Sequence, residues 1–267
     1  MRSLKELMDL KGRTALVTGG AGCIGRMFCE TLAELGADIV VLDLDPGACE
    51  DTARGIQHSY GVQALPLTIN LADEDALRSV PDRISSEPGR LDILINCAAY
   101  VGMSRLDGWA CPFQEQKSAA WREAIEVNLT AAFILTQACA DLLRASGHGS
   151  VVNISSIYGM VGPDMRLYDG LSMGNPAAYA ASKGGLLQLT RWLAAVLAPE
   201  VRVNTISPGG LWRNQPETFR ERYNQRTPLR RMATEEDLKG AIAYLASDLS
   251  GYVTGHNLVV DGGWTVW

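Results

Sequence analysis

Residues 18–25, "TGGAGCIG", follow the apolar run "TALV" and lead into a stretch with helical periodicity, "GRMFCETLAELG". A chain that passes from strand to helix in so few residues needs the torsional freedom of Gly19, Gly20, Gly22 and Gly25. The same glycines let backbone N–H groups and the positive end of the helix dipole face a pyrophosphate. Such turns also arise for steric reasons alone, so the loop needs support from the next strand. That strand, "DIVVLD", ends in Asp43, eighteen residues after Gly25, close to the spacing at which an acid meets the adenosine ribose hydroxyls. A carboxylate there repels a 2′-phosphate and Leu44 offers no cation to offset it, so the cofactor expected is NAD(H) rather than NADP(H).

Working outward, β-branched apolar runs recur along the chain: "TALVTGG", "DIVVLD", "ALPLTIN", "LDILINCAA", "GSVVNISS", "VRVNTISPGG" and "NLVVDGG". Helical stretches such as "WREAIEVNLTAAFILTQACADLLRASG" lie between them. Strands apolar on both faces that alternate with helices predict a single doubly wound α/β domain of Rossmann type over residues 1–267, with a parallel sheet of about seven strands. Ligands then bind at the carboxyl ends of the strands. Residues 160–178 and 210–232 break the alternation, and their Gly, Pro and Asn content predicts substrate loops.

Composition narrows the function. The net charge of −6 argues against sequence-independent binding to nucleic acid, which needs clustered cations. No signal segment and no apolar run long enough for a bilayer is read from the sequence, so a cytoplasmic protein without a membrane partner is expected. The six cysteines lack the spacing of a zinc site or a disulfide framework, so no metal is expected and most serve as small apolar residues. His58, His148 and His256 stand in no ligand spacing, and the serine pairs lack the glycine-flanked turn of a hydrolase nucleophile.

In "AAYAASKGGLLQLTRWLAAVLA", Tyr179 and Lys183 are four apart and share a helix face. A neighbouring ammonium favours the phenolate, drawing a phenol that titrates near pH 10 toward a range useful for proton transfer. Around this pair the chain, from about Lys11 to Trp267, resembles the classical short-chain dehydrogenase/reductase family. The matching pieces are "TGGAGCIG", "NCAA" (96–99), "VNL" (127–129), "NISSIYG" (153–159), "YAASK" (179–183), "VRVNTISPGG" (201–210) and "YVTGHNLVVDGGW" (252–264).

The resemblance implies that Tyr179 is the general acid/base and that Lys183 lowers its pKa while bonding the nicotinamide ribose. Ser156 would hold the substrate oxygen and Asn128 would support a water in a proton relay. Gly19, Gly22, Cys23, Ile24, Gly25, Asp43, Asn70, Leu71 and Ala98 would line the dinucleotide, Asn96 would stabilise the sheet on the adenosine side, and Pro208 and Gly209 would lie against the nicotinamide. Hydride would pass between substrate carbon and nicotinamide while Tyr179 moves the hydroxyl proton.

Four positions depart from the family pattern. Cys23 stands where its second glycine is expected, with Gly22 restoring the spacing of extended members. Ala99 replaces a glycine, Asn70 stands where an aspartate often meets the adenine, and Arg213 takes the place of a threonine that contacts the carboxamide. Cys23 reads most simply as a small residue at a helix start; the sharper reading is a thiolate that makes NAD binding sensitive to oxidation.

Segment 160–178, with Arg166, Tyr168 and Asp169, reads as a lid or a surface elaboration. Segment 210–232 carries six arginines (213, 220, 222, 226, 230 and 231) against two glutamates, a local excess of four positive charges. Arginines suit planar and phosphate anions, so Arg213 and Arg166 are candidate contacts to an anionic, sugar-like small molecule; the plainer alternative is solvated or interface arginines. A weaker resemblance, to a subgroup linked to sugar modification of bacterial surfaces, ranks substrates the same way.

The activity expected is NAD(H)-dependent exchange between a secondary alcohol and a ketone. The alternatives are a 3-oxoacyl-(acyl-carrier) reductase, against which Asp43 weighs, and a non-catalytic dinucleotide-binding protein. The helices "AFILTQACADLL" and "YAASKGGLLQLTRWLAAVLA" are too apolar for one buried stripe, and "DGGWTVW" places two tryptophans near the terminus. A homodimer or homotetramer is expected.

Overall fold

The computed structural model describes residues 1–267. Each of the seven apolar runs forms a strand: β1 (Thr14–Thr18), β2 (Asp38–Asp43), β3 (Ala64–Thr68), β4 (Ile93–Asn96), β5 (Gly149–Ile154), β6 (Val201–Pro208) and β7 (Asn257–Val260). They make one sheet in the order β3-β2-β1-β4-β5-β6-β7, parallel throughout. The order reverses between β1 and β4, which opens a crevice at the carboxyl ends of those strands.

The helices are α1 (Leu4–Met8), α2 (Cys23–Glu34), α3 (Pro46–Tyr60), α4 (Glu74–Arg78), α5 (Val80–Ser86), α6 (Ser118–Ile125), α7 (Ala131–Ala145), α8 (Ala177–Leu197), α9 (Glu217–Arg226) and α10 (Glu236–Ala246). They cover both faces, and the apolar-on-both-sides strands feed two separate cores. On one face Val17, Ile39 and Val41 pack with Phe28, Leu32, Ile56 and Ile242. On the other Leu16, Val40 and Leu94 pack with Leu77, Ile84, Leu135, Leu143 and Leu193. Burying a single leucine contributes about 1.5–3 kcal/mol, and each central strand serves two such interiors.

The helical stretch Ser118–Ala145 passes by length and composition for one apolar enough to cross a bilayer. It packs on the sheet instead, with Ile134, Leu135, Cys139 and Leu143 buried. Segment 210–232 is not all loop, because Pro216 introduces the ten-residue helix α9. Its Phe219 and Tyr223 join Ile157, Leu167, Met232 and Trp264 in a third apolar cluster. The two irregular segments thus fold onto each other and the carboxyl-terminal turn as one lobe beside the crevice.

Candidate active site

The glycine loop turns as its composition predicts. Gly19 has φ +66, and a side chain on it would strike the backbone of Ala98; one on Gly25 would be driven into the Gly19 carbonyl. These close approaches of one backbone to another are possible only because no Cβ is present. Gly22 caps α2, and exposed Cys23 is its first helical residue. Asp43 ends β2 and accepts hydrogen bonds from the Ala21 N–H (3.1 Å) and the Leu44 N–H (2.7 Å), which aims its carboxylate across the loop.

A cleft of about 310 Å³ runs over this turn. Gly19, Gly22, Cys23, Ile24, Gly25, Asp43, Asn70, Leu71 and Ala98 all line it. The glycine cradle, the helix N-terminus and the strand-end acid therefore fit a nicotinamide dinucleotide. Asn96 and Pro208 do not line the cleft. Asn96 is buried behind it, donating to Asn153 Oδ1 (2.8 Å) and Thr136 Oγ1 (3.3 Å), and Pro208 lies buried in the sheet opposite Val260. Asn153 continues that buried polar ladder to Thr190.

An adjoining cavity of about 190 Å³ is lined by Ser156, Tyr179, Gly209 and Arg213 among others. Arg213 alone of the segment's arginines borders both spaces. Ser156 begins a tight turn at the end of β5, its hydroxyl accepting from the Tyr158 N–H. Helix α8 is bolted to that strand: Lys183 Nζ donates to the Ile154 carbonyl at 2.7 Å, and Ser155 Oγ donates to the Lys183 carbonyl at 2.7 Å. A side chain on Gly159 would collide with that same carbonyl, so glycine permits the contact. Tyr179 and Ser156 are brought together on the wall of this cavity.

Asn128 lies in a π-turn, Glu126–Thr130, between α6 and α7. Its side chain accepts from the Tyr100 N–H (2.7 Å) and donates to the Tyr100 carbonyl (3.1 Å) and Ser182 Oγ (3.2 Å). Those bonds brace the crevice wall.

The acid–base expectation changes. Burial carries the Tyr179 phenol above its ordinary range, opposed by a hydrogen bond from Ser156 and by the Arg213 charge. Burial also pushes the Lys183 ammonium down to about 8; its Nζ sits 5.8 Å from the centre of the tyrosine ring. In this site desolvation, not the adjacent lysine, dominates the phenol. The Cys97 thiol, also on the cleft wall, is pushed up to about 12 by burial and is no nucleophile.

Most of the basic segment does not face the site. Arg220 pairs with Glu217 and lies over Trp212, and Arg222 donates to the Leu167 and Asp169 carbonyls. Arg226 covers Trp264, Arg230 holds the Gln225 carbonyl and Arg231 grips Asp237. Arg166 is outside the cavity, in a bidentate pair with Asp164. Loop carbonyls without strand partners, and nearby carboxylates, draw these guanidinium groups into holding the lobe together.

Several lining groups were given no individual role by the sequence, although Tyr168 belongs to the candidate lid and Tyr158 to the motif at 153–159. Tyr158 and Tyr168, with hydroxyls 3.2 Å apart, stand in the second cavity with Met173, Asn175 and Gln215. Gln116 accepts from the Ala177 N–H at 3.0 Å and so caps α8, whose own cap residue Pro176 has no side-chain acceptor. Loops supply all of these, and no local periodicity marks a loop residue's distant partner.

Comparison with known proteins agrees with this architecture. Residues 19–265 match the family described as Enoyl-(Acyl carrier protein) reductase. The cis-4-hydroxycyclohexanecarboxylate dehydrogenase of Sinomonas cyclohexanicum is 36% identical over 258 residues, covering 95% of this chain and 96% of that protein. A gluconate 5-dehydrogenase from Burkholderia cenocepacia, solved with NADP and tartrate, superposes with a TM-score of 0.88 at 29% identity, covering 99% of this chain and 100% of that one. An NAD+-bound xylitol dehydrogenase superposes with a TM-score of 0.85 at 29% identity, covering 95% and 99%.

Proposed function

Since the chain belongs to the classical short-chain dehydrogenase/reductase family and acts between alcohols and ketones, we propose that its cofactor is NAD(H) and its substrate a polar, anionic, sugar-like molecule. The observation that carries this reading is Arg213, which borders both the dinucleotide cleft and the cavity holding Ser156 and Tyr179. Asp43 supports NAD(H), since the strand end offers Leu44 and Asp45 in place of a cation for a 2′-phosphate.

The dinucleotide supplies the hydride acceptor or donor when bound. Ser156 holds the substrate oxygen by its hydroxyl. In oxidation the Tyr179 phenolate takes the alcohol proton as the carbinol hydrogen leaves with its electron pair; in reduction the phenol returns that proton to the forming alkoxide. Lys183 holds α8 on β5 through the Ile154 carbonyl and bonds the nicotinamide ribose, and Arg213 bears the substrate's negative charge.

The protein works in the cytoplasm, where its free cysteines stay reduced. It assembles as a homodimer or homotetramer through the exposed Trp192 and Val196 of α8 and Trp267 at the terminus, and sedimentation gives the mass. The test of function is nicotinamide absorbance with NAD and with NADP against hydroxy acids, neutral polyols, sugar phosphates and acyl-carrier esters. Turnover with NAD on an anionic member is expected, with Tyr179→Phe lowering kcat/KM by roughly 10²–10⁴-fold. Turnover confined to NADPH and acyl-carrier esters would overturn the reading.

A further inference from the structure

The substrate cavity holds polar atoms that the protein itself leaves unpaired. Arg213 Nε and Nη2 and Asn175 Oδ1 are buried and make no hydrogen bond. The Glu235 carboxylate stands 3.9 Å from Arg213 Nε, beyond hydrogen-bond reach. Arg213 and Asn175 line the cavity that contains Ser156 and Tyr179, and Glu235 does not. Leaving a polar group buried and unpaired is costly, so such atoms on residues that border a cavity mark where a ligand completes the bonding once the side chain turns toward it.

The chemistry of these atoms restricts that ligand. Nε and Nη2 form the side-on fork of a guanidinium, whose two parallel donors match a carboxylate. This chain uses that fork on carboxylates elsewhere: Arg166 places Nε and Nη2 at 2.8 and 2.7 Å from Asp164, and Arg90 places them at 2.9 and 2.5 Å from Asp92. Arg213 is the sole cation lining the cavity, which suits a single negative charge better than a phosphate dianion. Asn175 Oδ1 can only accept, so it calls for a donor, which on a hydroxylated carbon skeleton is a hydroxyl. Leu211, Phe219, Met173 and Met232 supply apolar walls for a carbon skeleton.

We propose that Arg213 binds a carboxylate of the substrate through Nε and Nη2 and that Asn175 accepts a hydrogen bond from a hydroxyl other than the one oxidised. The substrate class is thus a small carboxylic acid bearing at least two hydroxyl groups. This rests on the alcohol–ketone reading only for the orientation of the reacting carbon. Arg213 has therefore left the cofactor role that the family's threonine plays and become a determinant of specificity.

The test is binding rather than turnover, so that it separates from the test of activity. Protein loaded with whichever reduced nicotinamide it binds is titrated calorimetrically with D-gluconate and D-sorbitol, which differ in carboxylate against hydroxymethyl. A second pair is 4-hydroxycyclohexanecarboxylate and 4-(hydroxymethyl)cyclohexanol. Alcohols cannot react with reduced cofactor, so only affinity is read.

The carboxylate should bind more tightly in at least one pair. Arg213→Gln should erase that preference by about tenfold or more, and Arg213→Lys should restore it in part. Asn175→Ala should weaken gluconate more than 4-hydroxycyclohexanecarboxylate, which has no second hydroxyl. Retained cofactor affinity shows that the variants fold. No carboxylate preference in either pair would overturn the proposal. So would an Arg213→Gln protein that loses cofactor affinity while keeping the preference, which would assign Arg213 to the pyrophosphate.

Discussion

Tyr179 is a phenol whose acidity is set against its task. Burial raises its pKa, while Ser156 and Arg213 oppose the rise, so at neutral pH the phenol is protonated and ready for reduction, and the phenolate is the scarce form. Raising the pH increases the phenolate fraction. The kcat/KM for alcohol oxidation should therefore climb through the neutral range into the alkaline, by up to about tenfold per pH unit. That for ketone reduction should not climb. A pH profile in both directions checks this, and a flat oxidation profile would sink it. Asp43 gives a second test at this scale. Asp43→Ala should lower the NAD(H) over NADP(H) preference by about tenfold, the worth of a charge-assisted hydrogen bond; equal dissociation constants before and after would remove Asp43 from cofactor choice.

At the scale of elements, α8 carries both Tyr179 and Lys183, and its first turn lacks a cap of its own. Gln116 reaches it from sixty-one residues away and is itself steadied by the Cys111 carbonyl. Gln116→Ala should cost about 0.5–2 kcal/mol of stability, the usual worth of a lost N-cap. It should also lower kcat more than it raises the KM for NAD, because the loosened turn holds Tyr179. Gln116→Glu keeps the acceptor and adds a charge favoured by the helix dipole but loses the donor to the Cys111 carbonyl, and should recover both in part. Urea unfolding with steady-state kinetics on the two variants decides it. The pattern "AAYAASKGG" told where α8 lies; its capping partner was unreadable, because the intervening loop has no period that reports where it returns.

At the scale of the whole molecule, Asp248 joins the amino-terminal segment to the far end of the fold. It accepts from Arg13 at 2.8 Å and from Arg2 at 2.5 Å. Burial works to raise its pKa, but the two arginines hold it down to about 2. A carboxyl depressed in the folded state stabilises the fold above its unfolded pKa, and that contribution disappears as the pH falls from about 4 toward 2. Asp248→Asn should therefore lower Tm at pH 7 and make the melting temperature less sensitive to acid over that window. An unchanged difference between variant and parent from pH 7 to pH 2 would show that the clamp carries no weight.

Local chemistry by itself determined the sheet, the glycine turn, the acid at the end of β2 and the Tyr179–Lys183 face. In each, the periodicity of strand or helix turns spacing along the chain directly into position, and the seven apolar runs needed both faces covered. Only tertiary structure decided which of six similar arginines meets the site. Five are held by carbonyls, carboxylates or aromatic rings, whereas Arg213, 3.9 Å from the Glu235 carboxylate, leaves Nε and Nη2 without a hydrogen bond. It likewise decided that burial rather than Lys183 governs the phenol, that Asn96 and Pro208 sit behind the cleft, and that the two irregular segments form a packed lobe. Burial and hydrogen-bond satisfaction are sums over neighbours distant in sequence, so no stretch of the chain carries them alone.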